Sequence, residues 1–366
     1  MPGINKCKET MTARERVLKT FNLEKTDRVT IGYEGNQSIN QKLIRELNAK
    51  DYEEMLDLLG VDYRGVMPPY KGPFLFKQLP DRRTDPVDGY NMRWVEHQTG
   101  GYWDFCDFPL KDAADEEIEA FPIPDPDDFD IRSACDYIQS LHGRYAIYIG
   151  HAGVPDVLNS NGRIMGMEDV LVHLALENEA AIGFFNRRAD MYLKVMDRTL
   201  DQCRGMIDFM WLGEDLGTQI APMISLELYR RTIKPIHKKF VDLAKAYNIP
   251  VIMHTCGSSS WAYEDLVEIG IRGVDTLQPE AVNMSPEYLK EKFGGRLCFR
   301  GCISTAGPLA YGTAGETREY CRRTLEIMMK GYGYHFAPTH CIQDNSPVEN
   351  VVAMYQAAHD FGVYRY

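Results

Sequence analysis

Several features of membrane, secreted and nucleic-acid-binding proteins are missing from this sequence. No apolar run approaches the ~20 residues that cross a bilayer, and the N-terminal stretch MPGINKCKETMTARERVLKTF lacks the apolar core of a secretory signal. The chain has 41 Lys and Arg against 53 Asp and Glu, a formal net charge of −12, whereas phosphate binding needs clustered Lys and Arg. We therefore expect a cytoplasmic protein that binds neither membranes nor nucleic acids.

The cysteines also lack the spacing of a disulfide framework. There are 9 of them, an odd number, and they are scattered singly along the chain. In a reducing compartment this pattern favours free thiols, with metal ligands among them, over disulfides.

What the sequence does contain is a regular alternation of short apolar runs with helix-length segments. From about residue 129 the apolar runs are YAIYIGHAG, MIDFMWLG, PVIMHTCG, GVDTLQPE, LCFRGCIST and YHFAPTHCIQ. Strands that alternate with helices indicate a parallel sheet. Six such runs after Gly143, with one or more before it, predict an α/β fold, a (β/α)₈ TIM-like barrel formed as a single domain over 1–366.

The first part of the chain, 1–128, is less regular than 129–366. It begins with helical stretches and then becomes rich in Pro, Gly and aromatic residues, as in MPPYKGPFLF and HQTGGYWDFCDFPL. This composition predicts an elaborated N-terminal region of helices, long loops and a few hairpin strands. Trp94, Tyr102 and Trp103 would form an apolar substrate wall there, or alternatively fill a small satellite core under the loops.

Polar residues stand at the ends of the predicted barrel strands, where the catalytic groups of such barrels lie. They are His151, Glu214, Asp215, His254, Cys256, Gln278, Glu280, Cys302, His340 and Cys341. Because a barrel brings its strand ends to one mouth, we expect these side chains on a common face. Glu214 and Asp215 are candidate acid–base groups or helix caps, His151 a substrate contact or a core histidine, and Gln219 a further polar contact.

His254 and Cys256 are the strongest candidates for metal binding. They are two positions apart, so on an extended segment both side chains point to the same side. Zinc favours imidazole and thiolate, and a catalytic zinc keeps three protein ligands. The third ligand is open between Cys341, Cys302 and His340, and the alternative is that His254 and Cys256 are ordinary buried residues.

The segments VIMHTCGSSSWAYEDLVEIGIRGVDTLQPEAVNMSPEYLKEKFGGRLCFRGCIST and GYHFAPTHCIQDNSPVENVVAMYQAA resemble the uroporphyrinogen decarboxylase superfamily. Its barrels include decarboxylases and zinc-dependent, corrinoid-linked methyltransferases. The methylcobalamin:coenzyme M methyltransferases carry an H-x-C…C zinc motif, which corresponds here to His254, Cys256 and Cys341. The resemblance thus implies Zn²⁺ at these three residues, with Glu214 a fourth resting-state ligand or an acid–base group beside Asp215.

The resemblance also implies an activity and a partner. A methyltransferase of this branch would move a methyl group between a small methylated substrate, such as a methyl ether, or a thiol acceptor, and a corrinoid (methylcobalamin or cob(I)alamin). Since no D-x-H-x-x-G motif is seen, the corrinoid is expected on a separate protein that docks over the barrel mouth. The assembly is open between a monomer and a homodimer.

The alternative activity is a metal-independent decarboxylation of the uroporphyrinogen type. True uroporphyrinogen decarboxylases carry an arginine-rich N-terminal segment that binds the porphyrinogen carboxylates. Here the segment FNLEKTDRVTIGYEGNQS does not reproduce it, and only Arg28 and Arg64 are available singly. We therefore expect the methyltransferase rather than the decarboxylase.

Overall fold

A computed structural model describes residues 3–98 and 100–365 of the chain. The strands are, in chain order, β1 (Thr30–Ile31), β2 (Tyr63–Val66), β3 (Arg83–Thr84), β4 (Asn91–His97), β5 (Gly100–Cys106), β6 (Ala146–Pro155), β7 (Phe209–Gly213), β8 (Val251–His254), β9 (Gly273–Leu277), β10 (Cys298–Ile303) and β11 (Tyr334–Pro338). The α-helices are α1 (Ala13–Phe21), α2 (Gln37–Glu46), α3 (Tyr52–Leu59), α4 (Asp115–Ala120), α5 (Ile131–Leu141), α6 (Val157–Met165), α7 (Met167–Ala175), α8 (Glu179–Gln202), α9 (Leu226–Thr232), α10 (Lys234–Ala246), α11 (Tyr263–Ile269), α12 (Pro286–Phe293), α13 (Pro308–Tyr311), α14 (Ala314–Met328) and α15 (Val348–Phe361). Short 3₁₀ helices lie at Pro126–Asp128 and Ser260–Ala262.

Eight of these strands form one parallel sheet in the order β1-β11-β10-β9-β8-β7-β6-β2. Between β1 and β2 the Asp62 N–H donates to the Ile31 carbonyl at 2.9 Å, and the Ile31 N–H donates to the Asp62 carboxylate at 2.7 Å. The sheet is therefore a nearly closed barrel, which confirms the predicted (β/α)₈ fold. Strands β1 and β2 come from the first 128 residues, and the other six follow Gly143.

The later barrel strands are buried along their whole length. Every residue of β7 through β11 is buried, because helices cover the outside of a parallel barrel and side chains fill its inside. This explains why their sequences are nearly continuous apolar runs rather than alternating ones. The polar residues within these runs, among them Asp275 and Arg300, are therefore exceptions that need partners inside the barrel.

Helix α1 covers the amino-terminal end of the barrel. It begins with a capping box, in which the Thr12 side chain accepts the Glu15 N–H and the Glu15 carboxylate accepts the Thr12 N–H. Its apolar face buries Val17 and Phe21, and the Phe21 ring lies 5.1 Å from the ring of Phe209 at the start of β7. The helix is thus held in place by packing against the interior of the barrel.

A buried network of charges lies at the same end. Arg16 Nη1 is 2.5 Å from Asp62 Oδ1, and Arg28 Nη1 is 2.7 Å from Asp62 Oδ2. Arg16 also pairs with Asp27 at 2.7 Å, and Arg28 with Glu9 at 2.7 Å. Burial alone would raise the pKa of Asp62, but the Arg28 and Arg16 guanidinium groups outweigh it and hold that pKa below its usual value.

The elaborated N-terminal region contains the predicted hairpin strands. Strands β3, β4 and β5 form an antiparallel sheet of their own, in which Trp94 faces Trp103 with ring centroids 5.6 Å apart. Near the tip of the hairpin, His97 Nε2 lies 3.9 Å from Asp344 Oδ1, in the segment after β11. Near its base, Phe105 packs under the Arg163 guanidinium of α6. The β4–β5 hairpin therefore reaches two segments that follow carboxyl ends of barrel strands.

The expectation that the cysteines are free thiols is wrong for two of them. Cys135 in α5 and Cys203 at the end of α8 form a disulfide, with Cα atoms 5.6 Å apart. The two helices pack side by side, so residues 68 positions apart in sequence become neighbours. The spacing of cysteines along the sequence does not indicate which two of them pair when they are this far apart.

Within the two described ranges, no helix combines the length and the apolar character that a membrane span requires.

Candidate metal centre at the barrel mouth

The site is built on the neighbouring strands β7 and β8. Gly213 at the end of β7 is in register with His254 at the end of β8. Two residues beyond each of these positions, Asp215 and Cys256 face one another, and Asp215 Oδ1 accepts the Cys256 N–H at 2.8 Å. The pairing register of the sheet therefore brings three metal-binding residue types together at the carboxyl ends of these strands.

The potential ligand atoms of Asp215, His254 and Cys256 all lie within 4.8 Å of one another. His254 Nε2 is 3.7 Å from Cys256 Sγ and 3.4 Å from Asp215 Oδ1. A tetrahedral zinc ion, with bonds of about 2.0–2.1 Å to N and O and about 2.3 Å to S, separates N from S by about 3.6 Å and N from O by about 3.4 Å. Both the donor types and their spacing fit a zinc ion.

The other ring nitrogen of His254 is held by strand β9. Nδ1 lies 2.6 Å from Thr276 Oγ1 and 3.3 Å from Asp275 Oδ2. Consecutive strand residues normally point to opposite faces, but here the pairing of β9 with β10 shifts register between Val274 and Leu277. Thr276 has φ of +62°, and this irregularity lets both side chains reach one imidazole. Partners on Nδ1 leave Nε2 directed at Cys256 and Asp215.

Arg300 lies behind Asp275 and links it to the rest of the mouth. Its Nη1 contacts the Asp275 carboxylate, and its Nε donates to the Tyr63 hydroxyl at 2.8 Å. The guanidinium also lies 4.6 Å above the Trp211 ring and 3.3 Å from Glu34. Arg300 thus neutralises the carboxylate that supports His254.

Glycine residues allow the two ligand-bearing loops to touch. Gly257 has φ of +68°, and a Cβ there would lie 2.2 Å from the Gly217 carbonyl oxygen. A Cβ on Gly217 would in turn lie 2.4 Å from the Ser258 carbonyl oxygen. Only glycine fits this close approach, which explains why a glycine directly follows Cys256 where the strand passes into its loop.

The electrostatics of the group favour positive charge. Burial would lower the pKa of His254, but Cys256 and the carboxylates of Asp215 and Asp275 raise it well above the usual value. Burial would raise the pKa of Asp215, but its interaction with His254 and the Cys256 N–H lowers it. An environment that stabilises a protonated imidazole between a thiol and carboxylates equally suits a cation bound among them.

Glu214, the neighbour of Asp215, points elsewhere. It is fully buried, and its carboxylate accepts the N–H groups of Val157 and Leu158, at 2.7 and 2.9 Å, in the first turn of α6. His237 Nε2 is 3.1 Å away. Burial raises the pKa of Glu214 to about 8. Among the described residues, the group that could hold a metal ion includes Asp215 and not Glu214.

The three alternatives for the third ligand lie outside that group in the part of the chain that the structure describes. Cys341 is half-buried on the segment after β11, three strands from β8 around the barrel, and burial raises its pKa to about 12, with Glu34 contributing. His340 is exposed beside it, and Cys302 is fully buried within β10.

The predicted substrate-binding residues are spread over the mouth. Trp94, Tyr102 and Trp103 lie on the β4–β5 hairpin, with 52%, 47% and 41% of their surfaces exposed. His151 lies within β6, and its Nδ1 accepts the Gly153 N–H at 3.0 Å. Gln219 donates to Gln278 at 2.8 Å, next to the Cys256 loop. The substrate wall stays a prediction.

Sequence reasoning missed Asp275, Thr276 and Arg300, which support the site from β9 and β10. The available signal was a polar residue inside an otherwise apolar strand, as in GVDTL and CFRGCI. A buried polar side chain must find a partner, and here Thr276 pairs with His254 and Arg300 with Asp275 and Tyr63.

Comparisons with known proteins agree with this architecture. The chain matches the family described as Uroporphyrinogen decarboxylase (URO-D) over residues 116–361, more than half of its length. No curated protein matches it significantly. Among solved structures it is similar to a methyltransferase from Methanosarcina mazei, with a TM-score of 0.65 and 15% identity over 96% of this chain and 99% of that chain. At this level of identity the likeness establishes the fold.

Proposed function

Because the chain belongs to the uroporphyrinogen decarboxylase family, we propose that it is a zinc-dependent methyltransferase of that family, acting between a small methylated substrate or thiol and a corrinoid on a partner protein. The observation that carries the proposal is the convergence of His254, Cys256 and Asp215 at the barrel mouth with zinc-like spacing. The description of the Methanosarcina mazei protein as a methyltransferase supports the reaction class.

We propose that His254 and Cys256 hold the zinc and that Cys341 supplies a further thiolate. Asp215 supports an alternative, because its carboxylate lies within 4.8 Å of the potential ligand atoms of His254 and Cys256. A neutral imidazole, a thiolate and either a second thiolate or a carboxylate balance the charge of Zn²⁺ equally well. Charge alone therefore does not choose between Cys341 and Asp215, and their variants must be compared directly.

The residues around the metal have defined tasks in this proposal. Zinc bound there would lower the pKa of a bound thiol or polarise the heteroatom that releases a methyl group. Thr276 and Asp275 hold the proton at His254 Nδ1, so that Nε2 offers its lone pair to the metal. Glu214 keeps α6 in place through its first-turn N–H groups.

The corrinoid would be brought by a separate protein that docks over the barrel mouth. The sequence has no D-x-H-x-x-G motif for holding it, and the strand ends that carry the metal centre open on that face. The β4–β5 hairpin, which reaches the segment after β11, lies beside this opening.

Porphyrinogen decarboxylation is disfavoured by the two arginines that were available for carboxylate binding. Arg28 is buried and pairs with Asp62 and Glu9 at the opposite end of the barrel. Arg64 is paired with Glu53 at 2.6 Å and Asp57 at 3.0 Å. Neither guanidinium is free for a polycarboxylate substrate.

The test is zinc quantification followed by an activity screen. Purified protein should hold zinc at one ion per chain, and it should either convert cob(I)alamin to methylcobalamin with a methyl ether or release cob(I)alamin from methylcobalamin with a thiol. The Cys256→Ser variant should lose both properties, whereas Cys106→Ser, a half-buried thiol on the hairpin, should keep them. Decarboxylation without stoichiometric zinc would refute the proposal.

A further inference from the structure

Helix α6 begins at the carboxyl ends of β6 and β7 and brings two polar side chains to the candidate metal centre. Asn159 Nδ2 donates to Asp215 Oδ2 at 2.6 Å. Arg163 lies four residues later on the same helix, and the Cβ atoms of such a pair are about 5–6 Å apart on one face. Because helical side chains lean towards the N-terminus, the Arg163 guanidinium extends back towards the part of the mouth that Asn159 contacts.

Arg163 differs from the buried arginines around the mouth in its lack of a counter-charge. Arg300 contacts Asp275, and Arg188, which also contacts Asn161 of α6, lies 2.7 Å from Asp88. Arg163 is half-buried, and within the two described ranges it makes no hydrogen bond or ion pair with another residue. Its five N–H donors are therefore available to a ligand.

We propose that Arg163 binds the carboxylate group of a small bifunctional substrate whose reacting heteroatom lies at the metal centre. The inference rests on the proposed function for the reaction at the heteroatom. The carboxylate site itself is argued from the surroundings of Arg163.

The contact between Arg163 and the β4–β5 hairpin selects the shape of the anion. The guanidinium lies 4.7 Å from the centroid of the Phe105 ring, so one face of it is covered and a ligand approaches along its edge. A planar carboxylate accepts two parallel N–H bonds in the plane of the guanidinium. A tetrahedral sulfonate instead directs an oxygen out of that plane, where on one side it meets the negative face of the ring.

The end of β6 leaves room beside Arg163. A Cβ on Gly153 would lie 3.2 Å from the His151 ring and 3.8 Å from Arg163 Nη1, so the glycine keeps the space between these two side chains open. Asp88, which acts electrostatically on His151 together with Arg163, is neutralised by Arg188 at 2.7 Å. A ligand carboxylate would supply the direct counter-charge that Arg163 lacks among the described residues.

The test is calorimetric titration of the purified chain with 3-mercaptopropionate and with its neutral counterpart 3-mercapto-1-propanol, with zinc content measured on every sample. The wild type should bind the carboxylate about 10- to 100-fold more tightly, as expected for hydrogen bonds between charged groups. Arg163→Gln should remove most of this preference without changing the affinity for the alcohol. Arg163→Lys, which keeps the charge but not the planar fork, should retain part of it.

Arg272→Gln is the matched control, since Arg272 is an exposed arginine just before β9 at the amino-terminal end of the barrel. It should keep the full preference for the carboxylate, and all variants should keep their zinc. A third ligand, 2-mercaptoethanesulfonate, has the same chain length as 3-mercaptopropionate and should bind more weakly than it does.

Three results would overturn the inference: an unchanged preference in Arg163→Gln, equal binding of the carboxylate and the alcohol by the wild type, or tighter binding of the sulfonate than of the carboxylate. Failure of the proposed function is distinguishable. It would appear as absent zinc or absent methyl transfer in a chain whose preference for the carboxylate still depends on Arg163.

Discussion

At the amino-terminal end of the barrel, Arg16, Arg28 and Asp62 are buried with opposite charges in direct contact. At the carboxyl end, His254, Cys256 and Asp215 instead direct donor atoms at one another. The first arrangement is complete without any ligand, whereas we propose that the second holds a metal cation. The difference separates a structural end from a functional end, as expected for a barrel whose chemistry is placed at the carboxyl ends of its strands.

The largest effect is expected when a proposed metal ligand is removed at the carboxyl end of the barrel. We expect His254→Ala and Cys256→Ser to lower zinc affinity by at least about 100-fold, because each removes one of the donors that the strand register fixes. Equilibrium competition with a zinc-binding dye measures the affinity. Unfolding curves should show that both variants stay folded, and unchanged affinity in either would contradict the assignment.

At the structural end, Asp62→Asn should reduce stability without affecting zinc. The substitution leaves Arg16 and Arg28 buried without their central counter-charge, a change that typically costs about 3–5 kcal/mol in the free energy of unfolding. Denaturant unfolding measures it, with Asp201→Asn in the exposed pair with Arg204 as the control, where a change of less than about 1 kcal/mol is expected.

Asp62 also makes the stability of the folded chain depend on pH. The pKa of Asp62 is lower in the folded chain than in the unfolded one, so its contribution is present above the unfolded pKa of about 4 and is lost as the pH falls below it. The wild type should lose stability faster than Asp62→Asn on acidification in this range. Parallel acid unfolding curves would contradict the account.

Comparing the zinc affinities of the Cys341→Ala and Asp215→Asn variants tests which of the two residues is the third zinc ligand. If Cys341 is a ligand, as we propose, its removal lowers zinc affinity by about 10- to 100-fold and removes a sulfur from the metal's coordination shell. Asp215→Asn should then have the smaller effect. Full zinc and full turnover in Cys341→Ala would instead make Asp215 the third ligand and exclude Cys341.

The smallest expected effect is that of Thr276→Val. Valine matches the shape of threonine but removes the hydroxyl that lies 2.6 Å from His254 Nδ1. Loss of such a supporting partner typically costs about 10-fold in metal affinity. Unchanged affinity would mean that Asp275 alone orients the imidazole.

The barrel could be predicted from the sequence because strands buried on both faces leave apolar runs that alternate with helices. The same pattern predicted that His254, Cys256 and Asp215 share the barrel mouth, but Asp215 was expected to be an acid–base group and its position beside the other two was not predicted. The supporting role of Thr276 could not be predicted, because it depends on a register shift in β9. The Cys135–Cys203 disulfide was missed for a related reason, since helix packing brings its ends together.

The separation of Glu214 from Asp215 shows another limit of sequence reasoning. The two residues are adjacent in the chain. The Glu214 carboxylate is buried against the first turn of α6, whereas the Asp215 carboxylate accepts the Cys256 N–H. Adjacent residues that leave a strand take different directions, and the choice is made by the loops packed around them. No property of the residue types distinguishes the two.

Zinc K-edge X-ray absorption on the purified protein tests the central claim most directly. The account predicts one zinc per chain, with nitrogen or oxygen ligands at about 2.0–2.1 Å and sulfur at about 2.3 Å, and loss of sulfur scattering in Cys256→Ser. A protein that binds no stoichiometric zinc, or a coordination shell without sulfur, would contradict it.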